Sequence, residues 1–290
     1  MDLKKIFCVI VSYHSDHSSL NERIFNLSRD FTVVVVSNGD TDIIRREFKT
    51  TIDSTYCKKI ALNDNYGIGF AQNVGIAYAQ ESAAEYVLLL DDDSDIENIS
   101  VVNLLKCYSE LKDEGKCIAA MCAAPVDFET GNSIVHRLER NNKYTDIRDL
   151  MSSGTLIPLD SFGIIGMMNE SLFIDCVDYE WGWRCANSNM RLIVANESKI
   201  RHKLGEDKIY ILPSVFIRLP SPIRHYYQFR NVINIILFGN SPIRWKVKNS
   251  IYLPIKFVFY IIYSDMKILR LKYMIRGIAD GILGRMGKFK

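Results

Sequence analysis

Apolar positions in roughly the first 125 residues switch repeatedly between two rhythms. Ile6–Ser12 and Thr32–Ser37 are short, unbroken β-branched runs, as expected of strands buried on both faces of a parallel sheet. Between them Leu20, Ile24 and Leu27 recur at helical spacing, which predicts a helix over Ser18–Ser28. Lys59–Leu62, Tyr86–Leu90 and Cys117–Ala124 read as further strands. Phe70–Gln80, with Val74 and Ala77 on one face, and Ser100–Glu114 read as helices. Strand and helix in alternation predict an α/β protein with a Rossmann-like sheet, its ligands lying at the carboxyl ends of the strands. Residues 126–215 lose this regularity, and Asp127–Gly131 predicts a hairpin turn. From Pro222 helical spacing returns in two segments parted by Gly239–Pro242. The chain thus divides into a sheet-forming region, 1–215, with halves of about 1–125 and 126–215, and a helical region, 216–290.

Composition narrows the class. With 290 residues, 48% of them hydrophobic, the chain can bury a large core, which excludes a disordered or collagen-like protein. Its seven cysteines form no C-x-x-C pair, so zinc and dithiol chemistry are not indicated. They suit a reducing compartment, acting as small core hydrophobes. The run Ile6–Val11 is shorter than a signal-peptide core, and no stretch reaches the roughly 18 apolar residues of a membrane span. A cytoplasmic protein is expected, with no nucleic-acid partner.

Charge is unevenly placed. Residues 241–290 hold eleven Lys or Arg against Asp265 and Asp280, so this segment carries +9 and the rest −7 of the overall +2. A basic, aromatic-rich tail on an acidic body predicts a surface that meets anions, above all the inner face of a membrane. Ile251–Tyr263 is strongly apolar, broken by Pro254 and Lys256. An interfacial helix on anionic lipid and a helical hairpin packed on the main domain both fit that periodicity.

The most informative segment is Leu88-Leu89-Leu90-Asp91-Asp92-Asp93-Ser94. Three adjacent carboxylates cannot be core residues, because burying unpaired charge is too costly. Strand alternation puts Asp91 and Asp93 on one face and Asp92 on the other. Two carboxylates at a strand end suit Mg²⁺ or Mn²⁺, which in turn bridges the phosphates of a nucleotide. A solvated acidic turn, with Asp93 or Asp95 capping the next helix, is the plainer reading. Upstream, Asn63-Asp64-Asn65-Tyr66-Gly67-Ile68-Gly69 leads into a helix carrying Asn73. Gly67 and Gly69 permit close backbone approach, and the helix start offers N–H groups to an anion. A plain turn explains the glycines, though less readily the three asparagines around them.

Taken together, the Val-Ile-Val-Ser-Tyr strand, the N-x-G-x-G-x-A-x-N-x-G segment and the Asp-Asp-Asp-Ser strand end resemble glycosyltransferase family 2. The chain is most similar to its bacterial rhamnosyltransferase-like and galactofuranosyltransferase-like members, from about residue 6 to about 288. The resemblance implies the GT-A fold, an inverting reaction and a D-x-D metal motif. It implies a donor side formed by Ser12, Tyr13, Asn38, Asp40, Asn65, Gly67, Asn73, Asp91 and Asp92, with a cation at Asp91 and Asp93.

In the second half, Val177-Asp178-Tyr179-Glu180-Trp181-Gly182-Trp183-Arg184 is similar to the segment that carries the family's general base, which falls on Asp178. Glu180, Trp181 and Arg184 then lie on the acceptor side, along with Ser153 and Gly154. From the residues alone, Asp178 and Glu180 are two apart near a helix start and diverge, so an amphipathic helix with an acidic first turn is the plainer reading. His202-Lys203-Leu204-Gly205 resembles the H-x-x-G segment whose histidine completes the metal shell, although oxygen-only coordination of Mg²⁺ is also common. Arg224–Asn231 resembles the aromatic and R-N segment. There Arg230 meets a phosphate by resemblance, while a solvent-facing helix arginine is the commoner case. One departure stands out. Many relatives place a base-reading aspartate after the second strand, as in D-N-G-S, where this chain has Ser37-Asn38-Gly39-Asp40. The choice between uracil and thymine donors is left open by it.

The expected activity is transfer of a sugar, rhamnose favoured, from a dTDP- or UDP-linked donor to a hydroxyl of a lipid-linked oligosaccharide at the inner membrane face. A galactofuranosyl or other hexosyl transferase, and a non-catalytic assembly scaffold, are the alternatives. A nucleotidyltransferase would bring a glycine- and lysine-rich loop near the first strand, and Val11-Ser12-Tyr13-His14-Ser15 has none.

Overall fold

The computed structural model describes residues 2–39, 56–127, 142–202, 207–212 and 215–290, with residues 17, 202, 207–212 and 215–218 described by backbone alone. Asp40, the Asp127–Gly131 turn beyond Asp127, and Lys203–Gly205 lie outside the described residues.

Strands β1 (Ile6–Ser12), β2 (Thr32–Asn38), β3 (Cys57–Leu62) and β4 (Tyr86–Asp91) run parallel in the order β3-β2-β1-β4. Beyond β4 the sheet turns mixed, through β8 (Thr155–Pro158), β6 (Ile118–Asp127), β9 (Arg191–His202) and β5 (Ser94–Ile96). A further strand, β7 (Tyr144–Ile147), pairs with β9. The parallel strands are apolar without interruption because both faces are covered. Ile6, Cys8, Ile10, Leu88 and Leu90 face helices α1 (His17–Ser28) and α3 (Asn98–Asp113). Phe7, Val9, Val11, Val87 and Leu89 face α2 (Ile68–Glu81), α4 (Leu159–Ile165) and α5 (Val177–Asn187). Strand order reverses between β1 and β4, and the register Val11↔Asp91 brings the ends of both strands level there. A crevice at this point is where open α/β sheets take their ligands.

The helical region holds three helices rather than two: α6 (Pro222–Phe238), α7 (Ile243–Tyr263) and α8 (Lys267–Ile282), after a hairpin of β10 (Asp207–Leu212) and β11 (Val215–Leu219). The break between α7 and α8 has neither Gly nor Pro. Ser264 Oγ bonds back to Tyr260 O, and Met266 takes a left-handed conformation (φ 45°). α8 lies tightly on α6. A Cβ at Gly277 would stand 2.4 Å from Tyr226 O, and one at Gly281 2.6 Å from Arg230 O. Asp280, buried between them, accepts from Tyr226 Oη (3.0 Å) and Arg276 Nε (2.9 Å).

Candidate active site

β4 ends at Asp91, so strand alternation reaches that residue and no further. Asp91 lies on the face of Val87 and Leu89, the side covered by α5. Asp92 and Asp93 form the turn into β5. The expected sharing of a face by Asp91 and Asp93 therefore depends on the turn, not on the pleat. Ser153 fixes this corner: its Oγ accepts from Asp91 N (3.0 Å) and donates to Ser94 Oγ (2.8 Å). Gly154 bridges the neighbouring strands, donating to Leu89 O (2.8 Å) and accepting from Ala123 N (2.9 Å).

Asp178 stands in the first turn of α5, where its Oδ1 accepts from Tyr179 N (2.9 Å). The turn before it is unusual. Phe173, Asp175 and Cys176 all have positive φ (64°, 64° and 66°), which non-glycine residues adopt only when their surroundings enforce it. The enforcing residue is Asn231 of α6, fully buried, whose amide donates to the carbonyls of Leu172 (3.0 Å), Ile174 (2.7 Å) and Asp175 (3.0 Å).

The electrostatics bring the two stretches into one site. Burial pushes Asp91 up to about 7, and the charges of Asp93, Asp92 and Asp178 push the same way while Arg224 opposes them. Asp178 rises to about 6, chiefly through burial, against backbone hydrogen bonds from Tyr179, its own N–H and Ser152. At neutral pH such a carboxylate is largely ionised yet basic enough to take a proton. Arg224 is the cation of the group. Asp175 holds its guanidinium at 2.9 Å, and the charge acts on Asp91.

All donors here are oxygens, and an acidic set that raises one of its own members is short of positive charge, as a hard divalent cation requires. Among the described residues no group of three or more His, Cys, Asp or Glu converges on one point. Asp91 and Asp93 are carboxylates that could hold Mg²⁺ or Mn²⁺, with oxygens of the donor adding to the shell. The backbone of His202 pairs with Ser94 in the β5–β9 ladder, one residue beyond Asp93.

Several residues singled out from the sequence are already occupied. Asp92 Oδ2 accepts from Tyr13 N (3.0 Å) and from Ser15 Oγ, so it ties down the loop after β1. Ser12, fully buried, bonds to Ser15 (2.7 Å). Asn38 accepts from Tyr66 N (2.9 Å) and donates to Asn65 Oδ1 (3.1 Å), which also accepts from Gly67 N (2.9 Å). The space freed at Gly67 (φ 92°) is taken by the Phe173 backbone, whose carbonyl accepts from Ile68 N at 2.7 Å. The α2 N-terminus is therefore not an open anion cradle. Asn73 spends its amide on Met168 and Glu170. Trp181, fully buried, donates to Gly166 O (2.9 Å). Arg184 pairs with Glu180 (3.0 Å) and donates to the carbonyls of Ile165 and Met167 (both 2.6 Å). These three brace the loop before α5.

Arg230 departs furthest from expectation. It is neither solvent-facing nor open to a phosphate, but buried, donating to Leu172 O (2.8 Å), Ser171 O (3.3 Å) and Gly287 O. Tyr13 is half-exposed. Sequence reasoning missed Arg224 and Asp175 as a pair; a cation beside an acidic cluster was the available signal. It also missed the strap at 284–290, which returns across α6. In it Gly287 N bonds Ser171 O (2.7 Å), Phe289 N bonds Tyr227 Oη (3.0 Å) and Lys288 pairs with Asp64 (2.6 Å).

No family model matches the chain. It is 30% identical over 297 residues to the dTDP-rhamnosyl transferase RfbF of Shigella flexneri, the match covering 97% of each protein. Among solved structures it resembles S. aureus TarS, with a TM-score of 0.54 and 16% identity over 96% of this chain. The chain spans about half (48%) of that TarS chain. TarS 1–349 in complex with UDP-GlcNAc gives 0.52 and 17%, covering 96% of this chain and 80% of that one. GalNAc-T7 with UDP, GalNAc and Mn²⁺ gives 0.58 and 15%, covering 98% and 58%.

Proposed function

The chain belongs to glycosyltransferase family 2, among its bacterial rhamnosyltransferase-like members and with the GT-A fold, and from that premise we propose that it is an inverting rhamnosyltransferase using a dTDP-linked donor. The observation that carries the mechanism is that Asp178 and Arg224 stand close enough to Asp91 for their charges to act on it.

The donor's nucleoside lies along the ends of β1 and β2, beside Tyr13 and Asn38, and its diphosphate points toward Asp91, Asp93 and Arg224. Asp178 accepts the proton of an acceptor hydroxyl as that oxygen bonds to the anomeric carbon. The bond from this carbon to the phosphate oxygen breaks on the opposite side, and the nucleoside diphosphate leaves with the electron pair. A single displacement inverts the configuration. Arg224 places positive charge where the leaving group gains negative charge, which favours the transition state over the ground state. A divalent cation at Asp91 and Asp93 supplies the same stabilisation when bound. Mn²⁺ in the GalNAc-T7 structure supports this reading.

The donor is assigned as dTDP-rhamnose because the relative is a dTDP-rhamnosyl transferase along its whole length. The acceptor is a lipid-linked oligosaccharide, reached from the inner membrane face. Among the described residues no helix is long and apolar enough to cross a membrane. Nucleoside diphosphate release, measured across dTDP-rhamnose, UDP-galactofuranose and UDP-GlcNAc with and without Mn²⁺, tests the assignment. Release from dTDP-rhamnose, lost on chelation, is expected. Release from a UDP-sugar alone overturns the donor, and indifference to chelation overturns the metal.

A further inference from the structure

α7 is amphipathic in an inverted sense. Leu253, Phe259 and Tyr260 bury themselves against Phe229 and Met274 of the flanking helices. The other side is also apolar, and it is open: Ile243, Val247, Ile251, Ile255, Val258 and Ile262 are each more than half exposed. At helical spacing these six fall within an arc of about 120° along roughly 28 Å of helix. Phe238 before the helix and Met266 and Ile268 after it, 62–74% exposed, extend the same kind of surface. A contiguous apolar patch of this extent marks a partner.

The charge beside the patch identifies that partner. α7 contains no Asp or Glu, while Arg244, within the stripe, and Lys248, at its border, are exposed. Against a second copy of this chain, the same stripe would meet itself and bring like charges together. A surface that is apolar in depth and negative at its edge fits both features, and a bilayer with anionic headgroups is such a surface. The helix also adjoins the active site. Trp245 packs edge-on against Trp183 of α5 (ring centroids 4.8 Å), and the charge of Lys256 acts on Cys176, two residues before Asp178.

We propose that the outward face of α7, centred on Ile251, Ile255 and Val258, is a bilayer-docking surface that lies in the headgroup region of an anionic membrane and presents the Asp178 end of the cleft to it. This deepens the proposed function, on whose lipid-linked acceptor it rests.

Vesicle flotation of the full chain tests the proposal, using phosphatidylglycerol–phosphatidylcholine vesicles against phosphatidylcholine alone. The wild type is expected to float with the anionic vesicles only. Ile251→Glu with Ile255→Glu, and separately Arg244→Glu with Lys248→Glu, are each expected to reduce the bound fraction at least about tenfold. Nucleoside diphosphate release with a water-soluble acceptor should persist in the isoleucine variant, which shows that it folds. No flotation of the wild type, or undiminished flotation of the isoleucine variant, overturns the proposal. So does a concentration-dependent dimer in sedimentation velocity that the isoleucine variant abolishes, because the occupant is then a second copy. Failure of the transferase reading shows separately, as absent nucleotide release with flotation intact.

Discussion

Replacing Asn231 with alanine tests how Asp178 is positioned. Asn231 is fully buried and donates to the carbonyls of Leu172, Ile174 and Asp175, while its Oδ1 accepts from Arg230 Nε (2.9 Å). After truncation Leu172 O keeps Arg230 Nη2 at 2.8 Å. The carbonyls of Ile174 and Asp175 lose this donor, and Arg230 Nε loses its acceptor. At about 1–3 kcal/mol for each buried group left unpaired, the loss is on the order of 3–5 kcal/mol after some relaxation. For a chain of this size that lowers Tm by about 5–10 °C. The turn then has less reason to hold Phe173, Asp175 and Cys176 at positive φ, each of which costs roughly 1 kcal/mol. Its relaxation moves Asp178, and a displacement near 1 Å costs about 100-fold in turnover. Thermal unfolding and initial rates of nucleoside diphosphate release at saturating donor, measured on the same preparation, give both numbers. Asn231→Asp keeps the acceptor but cannot donate, so it should fail likewise. A lowered Tm with wild-type turnover would refute the positioning role.

Three further outcomes follow from the same geometry. Because burial raises Asp178 to about 6, it is protonated progressively as pH falls through that value; turnover should drop to about one-tenth by pH 5, and a flat profile between pH 7 and 5 would remove it as the base. Arg224→Gln leaves the diphosphate without this cation and should weaken transition-state stabilisation by about 1.5–3 kcal/mol, read as a fall in kcat/KM of roughly 10- to 100-fold. Gly281→Val drives a side chain into the α6 backbone at Arg230 and should destabilise the fold by about 1–3 kcal/mol in chemical denaturation, with an unchanged midpoint contradicting the tight α6–α8 contact.

The central strands were legible because their burial on both faces leaves a continuous apolar run, and β1, β2 and β4 stand within a residue of where that run predicts them. Asp91 was legible for a similar reason: a charge ending such a run must meet something. β7, β10 and β11 were not, since short strands away from the two-faced core carry no long apolar run. The roles of Arg230, Trp181, Arg184 and Asn73 were hidden for a different reason. Sequence shows that a donor exists near a motif. Whether distant carbonyls already satisfy it, as Leu172 and Gly166 do here, is decided by the fold. The break at Ser264–Met266 escaped notice because it uses a serine bonding back to its own helix, with no glycine or proline to announce it.

The base assignment bears most directly on the whole account, and Asp178→Asn isolates it, since the amide keeps the shape but cannot take a proton. Transfer from dTDP-rhamnose and calorimetric affinity for dTDP should be measured on this variant side by side. The account predicts turnover lower by about 10²- to 10⁴-fold with dTDP affinity unchanged. Turnover like that of the wild type would contradict it.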